Sequence, residues 1–171
     1  MDTDGLLLRR MHRGEEEAIE EFVRKYYPLL LRYCRLHLWD AQEAEDVTQE
    51  TFARFFRTLP QYRHYGKAAN YLYVIAGNLC RDSFRKTRPL ALEEVPEQSL
   101  EQTPELDRRL DVRRALEVLP PELREAAVLY YYQELPQSSI AKILGTGLPL
   151  VKYRLRRAKE LLALYLGKEE L

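Results

Sequence analysis

The chain has 171 residues, enough for one ordinary domain or two small ones, and a composition of 46% hydrophobic and 32% charged residues describes a folded protein. Lys plus Arg number 27, as do Asp plus Glu, so no global field draws the chain to nucleic acid or membrane, and any such footprint must be local. Only 7 glycines and few β-branched runs argue against an all-β fold; no apolar run reaches the roughly 18 residues of a membrane span and the start lacks a secretory layout, so neither membrane insertion nor export is expected.

Charge falls in blocks. Five glutamates lie between Glu15 and Glu21, and eight Lys or Arg stand against the single Asp82 between Arg54 and Arg88. Six acids and no base occupy Glu93 to Asp107, then five bases and no acid occupy Lys152 to Lys159. Cys34 and Cys80 are far apart in sequence, each within an apolar helical pattern, which predicts buried reduced thiols in a cytoplasmic protein.

In chain order, Asp40 is placed to cap a helix running to about Leu59, where Pro60 ends it. Ala41, Ala44, Thr48, Phe52, Phe55, Phe56 and Leu59 share its predicted inner face, opposite Glu43, Asp46, Glu50, Arg54 and Arg57. A helix from about Lys67 to Arg85 should bury Leu72, Ile75, Ala76, Leu79 and Ser83. The stretch from 87 to 105 is proline-bearing and acidic, with Pro89, Pro96 and Pro104 each disfavouring helix in the residue before it. Thr103, Pro104 and Glu105 then suit the N-cap and first turn of a new helix. The expected organisation is a helical domain over 1–88, an acidic linker over 89–107, and a second helical domain over 108–171. Helices are expected there near 105–118, 121–133, 137–144 and 149–166.

Three constellations could carry function. Lys67, Tyr71, Asn78, Arg81, Arg85 and Arg88 line one face of a helix, and the preceding loop adds Tyr62, Arg63, His64 and Tyr65. Cations that track phosphates, interleaved with rings that stack on unpaired bases, suit single-stranded nucleic acid; a solvated face with half-buried tyrosines is the plainer alternative. Glu43, Asp46 and Glu50, with Gln49 at the edge, form an acidic stripe about 10 Å long. Without an accompanying His it reads as a protein-docking face or a solvated one, in preference to a metal site.

The third lies in residues 119–162. Ile140, Ala141 and Leu144 mark a short helix, Gly145 suits its C-cap, and a further helix follows with Val151, Leu155, Ala158, Leu162 and Tyr165 as an apolar seam. Lys152, Tyr153, Arg154, Arg156, Arg157 and Lys159 cover the rest. That is a helix-turn-helix pattern, shared with any helical hairpin whose outer face is basic. No catalytic constellation, cofactor loop or metal set is apparent: His12, His37 and His64 are scattered, and Cys34 with His37 suits packing.

The segments DAQEAEDVTQETFARFFRTLPQY and AANYLYVIAGNLCRDSFRKTR together resemble region 2 of bacterial extracytoplasmic-function sigma factors. LPPELREAAVLYYYQELPQSSIAKILGTGLPLVKYRLRRAKELL resembles their region 4. The resemblance implies an all-α, two-domain, non-enzymatic subunit that binds core RNA polymerase and directs it to promoters. It implies that Asp46, Gln49 and Glu50 dock on the β′ clamp coiled coil, with the β flap as a further polymerase contact. By the same resemblance Tyr62, Arg63, His64, Tyr65, Lys67, Tyr71, Asn78, Arg81 and Arg85 melt and read the −10 element, capturing an unstacked base. Lys152, Tyr153, Arg154, Arg156 and Arg157 would lie in the major groove of the −35 element, and an anti-sigma factor is a possible further partner. Against the family pattern, Leu150 replaces a small polar residue, Pro149 a glycine, Tyr153 a Ser or Thr, and Pro136 a capping Ser. A −35 contact dominated by phosphate, with few base-reading side chains, is expected. A dimeric helix-turn-helix regulator and a helical adaptor without nucleic-acid function are the alternatives.

Overall fold

The computed structural model describes residues 3–63, 67–87 and 104–167, with the backbone alone for residues 3, 84–87 and 104–110. Among the described residues every regular element is helical, and they fall into two compact units, Met1–Phe84 and Arg85–Leu171.

The first unit comprises α1 (Thr3–His12), α2 (Glu16–His37), α3 (Ala41–Thr58) and α4 (Ala68–Thr87). Leu7, Leu8 and Met11 bury one side of α1, which packs on α2. Asp4 is only 4% exposed, and its carboxylate accepts hydrogen bonds from Lys25 Nζ at 2.7 Å and from the Tyr26 hydroxyl. Asp40 caps α3 as expected, accepting from the Gln42 amide at 2.8 Å. Thr48 and Thr51 are fully buried on α3, and each hydroxyl is satisfied by a carbonyl one turn back, Ala44 at 2.7 Å and Val47 at 2.8 Å.

The core between α2 and α3 is aromatic. Phe22 stacks on Phe55 with ring centroids 5.0 Å apart, and Phe52 meets Phe22 edge-on at 6.3 Å. Burying one such ring contributes about 3 kcal/mol. α4 adds Leu72, Tyr73, Ile75, Ala76 and Leu79 to the buried set. Gly77 permits close approach to α2, since a Cβ there would lie 3.1 Å from the Tyr33 hydroxyl. The same approach brings together the two sequence-distant cysteines: the Cys80 thiol donates to Cys34 Sγ at 3.9 Å, both are buried and neither is in a disulfide.

The second unit comprises α5 (Pro104–Val118), α6 (Pro121–Ala127), a π-helical turn (Val128–Tyr132), α7 (Gln137–Leu144) and α8 (Leu148–Tyr165). Pro104, Pro121 and Pro149 all stand in first turns, where a missing N–H leaves no ladder bond unmade. Arg124 of α6 is half-buried and donates to the carbonyls of Leu116 (2.9 Å), Leu119 (3.1 Å) and Glu117 (3.4 Å), so one guanidinium satisfies the end of α5. Gly145 closes α7 in the left-handed region at φ 63°, as its position predicts.

Four expectations need correction. Ala41 is exposed, because the whole 39–42 corner between α2 and α3 faces solvent. Glu43 does not share the open acidic face; it is half-buried and accepts from the Ser83 hydroxyl of α4. The helix expected over 121–133 widens after Ala127, where the Gln133 amide reaches back to the Val128 carbonyl at 3.1 Å. Ala126 to Leu129 are all fully buried there, a run longer than one face of a regular helix holds, while Tyr130 and Tyr131 turn outward. The seam of α8 ends at Ala158: Leu162 is half-buried and Tyr165 is 47% exposed, because the last turns of α8 extend past the cover of the unit.

Candidate functional site

The aromatic core of the first unit does not stop at its surface. Phe55 contacts Tyr62 at 5.4 Å and Tyr71 at 5.9 Å, and those two rings stack on each other at 5.3 Å. A residue of the α3–α4 loop and one from the first turn of α4 are thereby fixed through Phe55 to Phe22. The Tyr71 hydroxyl reaches Thr58 Oγ1 at 3.5 Å. Beside this stack lies an open concavity of about 390 Å³, lined by Arg54, Arg57, Thr58, Tyr71, Ile75 and Asn78. A ring wall, an apolar floor and cationic rims are the ingredients for holding a planar base with its phosphate.

The expected −10 residues fall in place unevenly. Tyr62 and Tyr71 are half-buried and together; Arg63, Lys67, Asn78 and Arg81 are exposed, and Arg81 donates to Asn78 Oδ1. His64 and Tyr65 lie outside the described residues, as do Arg88 and the side chain of Arg85. Sequence reasoning assigned no nucleic-acid role to Arg54, Arg57 or Thr58, although the two arginines, four and seven residues after Glu50, already share its face.

On α3, Asp46 and Gln49 are exposed, and Asp46 accepts from Gln42 Nε2 at 3.0 Å. Glu50 Oε1 accepts from Arg54 Nε at 3.1 Å and from Arg57 at 2.9 Å. These hydrogen bonds, Arg54 first, hold its carboxyl below the usual range. The acidic stripe and the rim of the concavity are thus joined through one carboxylate. Among the described residues no group of three or more His, Cys, Asp or Glu side chains could hold a metal ion, and His37 packs on the Tyr33 ring at 4.5 Å.

In the second unit, Val151, Leu155 and Ala158 bury α8 against its neighbours. Lys152, Tyr153, Arg156, Arg157 and Lys159 are exposed and Arg154 is half-buried, so the predicted cationic surface is present on one helix. Leu148, Pro149 and Leu150 also face solvent at its start, with no side-chain cap from Gly147. Arg157 donates to Glu160 at 3.1 Å, whereas Arg156 lies over the Tyr153 ring, 5.8 Å from its centroid.

Residues 22–89 match the Sigma-70 region 2 family and residues 109–162 match Sigma-70 region 4. The chain is 30% identical to the ECF RNA polymerase sigma factor SigM of Mycobacterium tuberculosis (strain Erdman), over 90% of this chain and 80% of that one. The chain belongs to the ECF sigma factors. It is also 34% identical to SigE of Mycolicibacterium smegmatis, over 91% of this sigma factor but only 65% of SigE, and 28% identical to SigW of Bacillus subtilis, over 91% and 92%. Its fold is that of CnrH, solved in complex with the cytosolic domain of CnrY (TM-score 0.82, 22% identity, covering 99% of this chain and 100% of that one). It is also the fold of RpoE of Bartonella quintana, solved with the anti-sigma factor NepR (TM-score 0.70, 20% identity, covering 89% and 98%). Among its described residues this sigma factor has no helix long and apolar enough to cross a membrane.

Proposed function

We propose that this sigma factor docks on core RNA polymerase through Asp46, Gln49 and Glu50, engages the unpaired −10 strand at the Tyr62–Tyr71 concavity, and contacts the −35 duplex with α8. It acts in the cytoplasm with the polymerase, by binding and strand capture and without catalysis. The observation that carries the reading is the concavity rimmed by Arg54 and Arg57 and walled by Tyr71, within the segment that matches region 2. A chain used only as a helical adaptor has no need of stacked tyrosines beside a cationic hollow; a duplex-binding regulator would use α8 and leave that hollow idle.

Stacking on an aromatic wall contributes about 1–3 kcal/mol per base, so Tyr71 and its neighbour Tyr62 can stabilise one unstacked nucleotide against re-pairing. Lys67, Arg63 and Arg81 would follow the strand's phosphates, with His64, Tyr65 and Arg85 completing the set. On α8, Lys152, Arg154 and Arg157 supply cations for the duplex backbone. An anti-sigma factor, such as the NepR solved with RpoE of Bartonella quintana, is a further partner to be sought.

Reconstituted transcription tests the reading. Purified core polymerase and this chain should initiate from promoters that core alone does not use, and Tyr71→Ala should lower open-complex formation about tenfold or more while core binding stays intact. A chain that does not bind core polymerase sinks the proposal, and tight palindromic duplex binding without polymerase favours the dimeric regulator.

A further inference from the structure

The chain holds 2 cysteines, and the fold brings both into contact. Cys34 of α2 and Cys80 of α4 are 46 residues apart in sequence, 0% and 5% exposed, with their sulfurs 3.9 Å apart. The contact is directional. The Cys80 thiol donates to Cys34 Sγ, and that hydrogen bond, opposed by burial and aided by the Thr48 hydroxyl, holds the Cys34 thiol below its ordinary value. The thiolate is the form that attacks an oxidant, so Cys34 is the nucleophile of the pair and Cys80 stands ready to resolve the product. Burial selects the oxidant: a peptide disulfide would have to form a mixed disulfide inside the core, whereas hydrogen peroxide is little larger than water and enters by local opening.

We propose that Cys34 and Cys80 form a peroxide-oxidised disulfide site whose closure displaces Tyr71 from the −10 concavity. The Cys34 sulfur attacks one peroxide oxygen and the O–O bond breaks, leaving a sulfenic acid; the other oxygen departs as water with the Cys34 proton. The Cys80 sulfur then attacks that of Cys34, the S–S bond forms, the S–O bond breaks, and the hydroxyl departs as water with the Cys80 proton. Both thiols are oxidised and the peroxide is reduced. A disulfide holds its sulfurs about 2.05 Å apart, so the pair must close by roughly 1.9 Å. Gly77 stands between Cys80 and Tyr71 on α4, and a Cβ there would already lie 3.1 Å from the buried Tyr33 hydroxyl of α2. A close-packed contact does not compress, so α4 pivots on it. As Cys80 moves toward α2, Tyr71, on the longer arm, shifts from Phe55 and Thr58, its partners at 5.9 Å and 3.5 Å. The effect on DNA rests on the proposed −10 role of Tyr71; formation of the bond does not.

The full chain is reduced, treated with hydrogen peroxide, quenched with catalase and only then mixed with untreated core polymerase. Peptide mapping without reductant should show the Cys34 and Cys80 peptides joined, and dithiothreitol should separate them. Glutathione disulfide should give less than about a tenth of that yield. The oxidised holoenzyme should form open complexes about fivefold less well than the reduced one, with the loss reversed by dithiothreitol. Cys34→Ala and Cys80→Ala, checked for folding by thermal melting, should initiate like the reduced wild type and ignore peroxide. If neither variant folds, the peptide map and the dithiothreitol-reversible loss in the wild type decide. Free thiols or a sulfinic acid in place of the joined peptides overturn the site, and equal oxidation by glutathione disulfide overturns its selectivity. A joined pair with undiminished open-complex formation overturns the coupling to Tyr71. A reduced chain that fails to initiate overturns the −10 reading and the coupling with it, while the peptide map still decides the site.

Discussion

Glu43 and Glu50 stand two turns apart on α3 and are displaced in opposite directions. Burial, then the neighbouring charges of Asp40 and Asp46, raises the Glu43 carboxyl above its ordinary value. A carboxyl whose pKa is raised on folding contributes stability that is present below the unfolded value and lost as pH rises through the folded one. Glu43→Gln keeps an acceptor for Ser83 and removes that loss, so its Tm at pH 7 should rise by about 2 °C, with a flatter profile between pH 4 and 7 in thermal denaturation. Glu50 behaves oppositely: held ionised by Arg54 and Arg57, it keeps its charge as pH falls until below the ordinary carboxylate range. Core-polymerase affinity measured at pH 5 should therefore match that at pH 7 as far as this residue is concerned. Glu50→Lys should weaken core binding about tenfold or more and leave the circular dichroism spectrum unchanged.

At the scale of elements, Arg124 joins two helices whose own hydrogen bonds cannot close. Its three carbonyl partners are the open end of α5 and the turn that follows. Arg124→Ala removes this donor from the Glu117 and Leu119 carbonyls and leaves the Leu116 carbonyl to the Leu119 amide, and should cost about 2 kcal/mol in urea unfolding of the full chain. Nothing in a linear reading singles out this arginine, since LPPELRE presents it as one charge among several. What was legible was local: the Asp40 cap, the Gly145 C-cap, the proline-marked first turns and the Phe52, Phe55 face all follow from neighbours within one turn. What was not legible depends on other elements. Glu43 turns inward because Ser83 arrives from α4, Ala41 stays outside because the 39–42 corner is uncovered, and the π-helical turn absorbs a buried run from Ala126 to Leu129. The concavity was half-legible in the same way: Tyr62 and Tyr71 could be named from a basic, aromatic stretch, whereas its Arg54 and Arg57 rim required α3 and α4 side by side.

For the whole molecule, net charge is zero at neutral pH, while two exposed segments are locally enriched in one sign. Glu16, Glu17, Glu20 and Glu21 face solvent on α2, and Lys152, Arg156, Arg157 and Lys159 face solvent on α8. Two copies therefore meet with no net repulsion and with complementary patches available. Such a chain behaves as a colloid near its solubility minimum and should salt in: static light scattering at pH 7 should show self-association at about 20 mM NaCl that disappears near 300 mM, where the Debye length falls to roughly 6 Å. Under the proposed −35 role of α8, the acidic segment of one copy would compete with promoter phosphates for the basic helix of another, so apparent affinity for DNA would depend on the protein's own concentration.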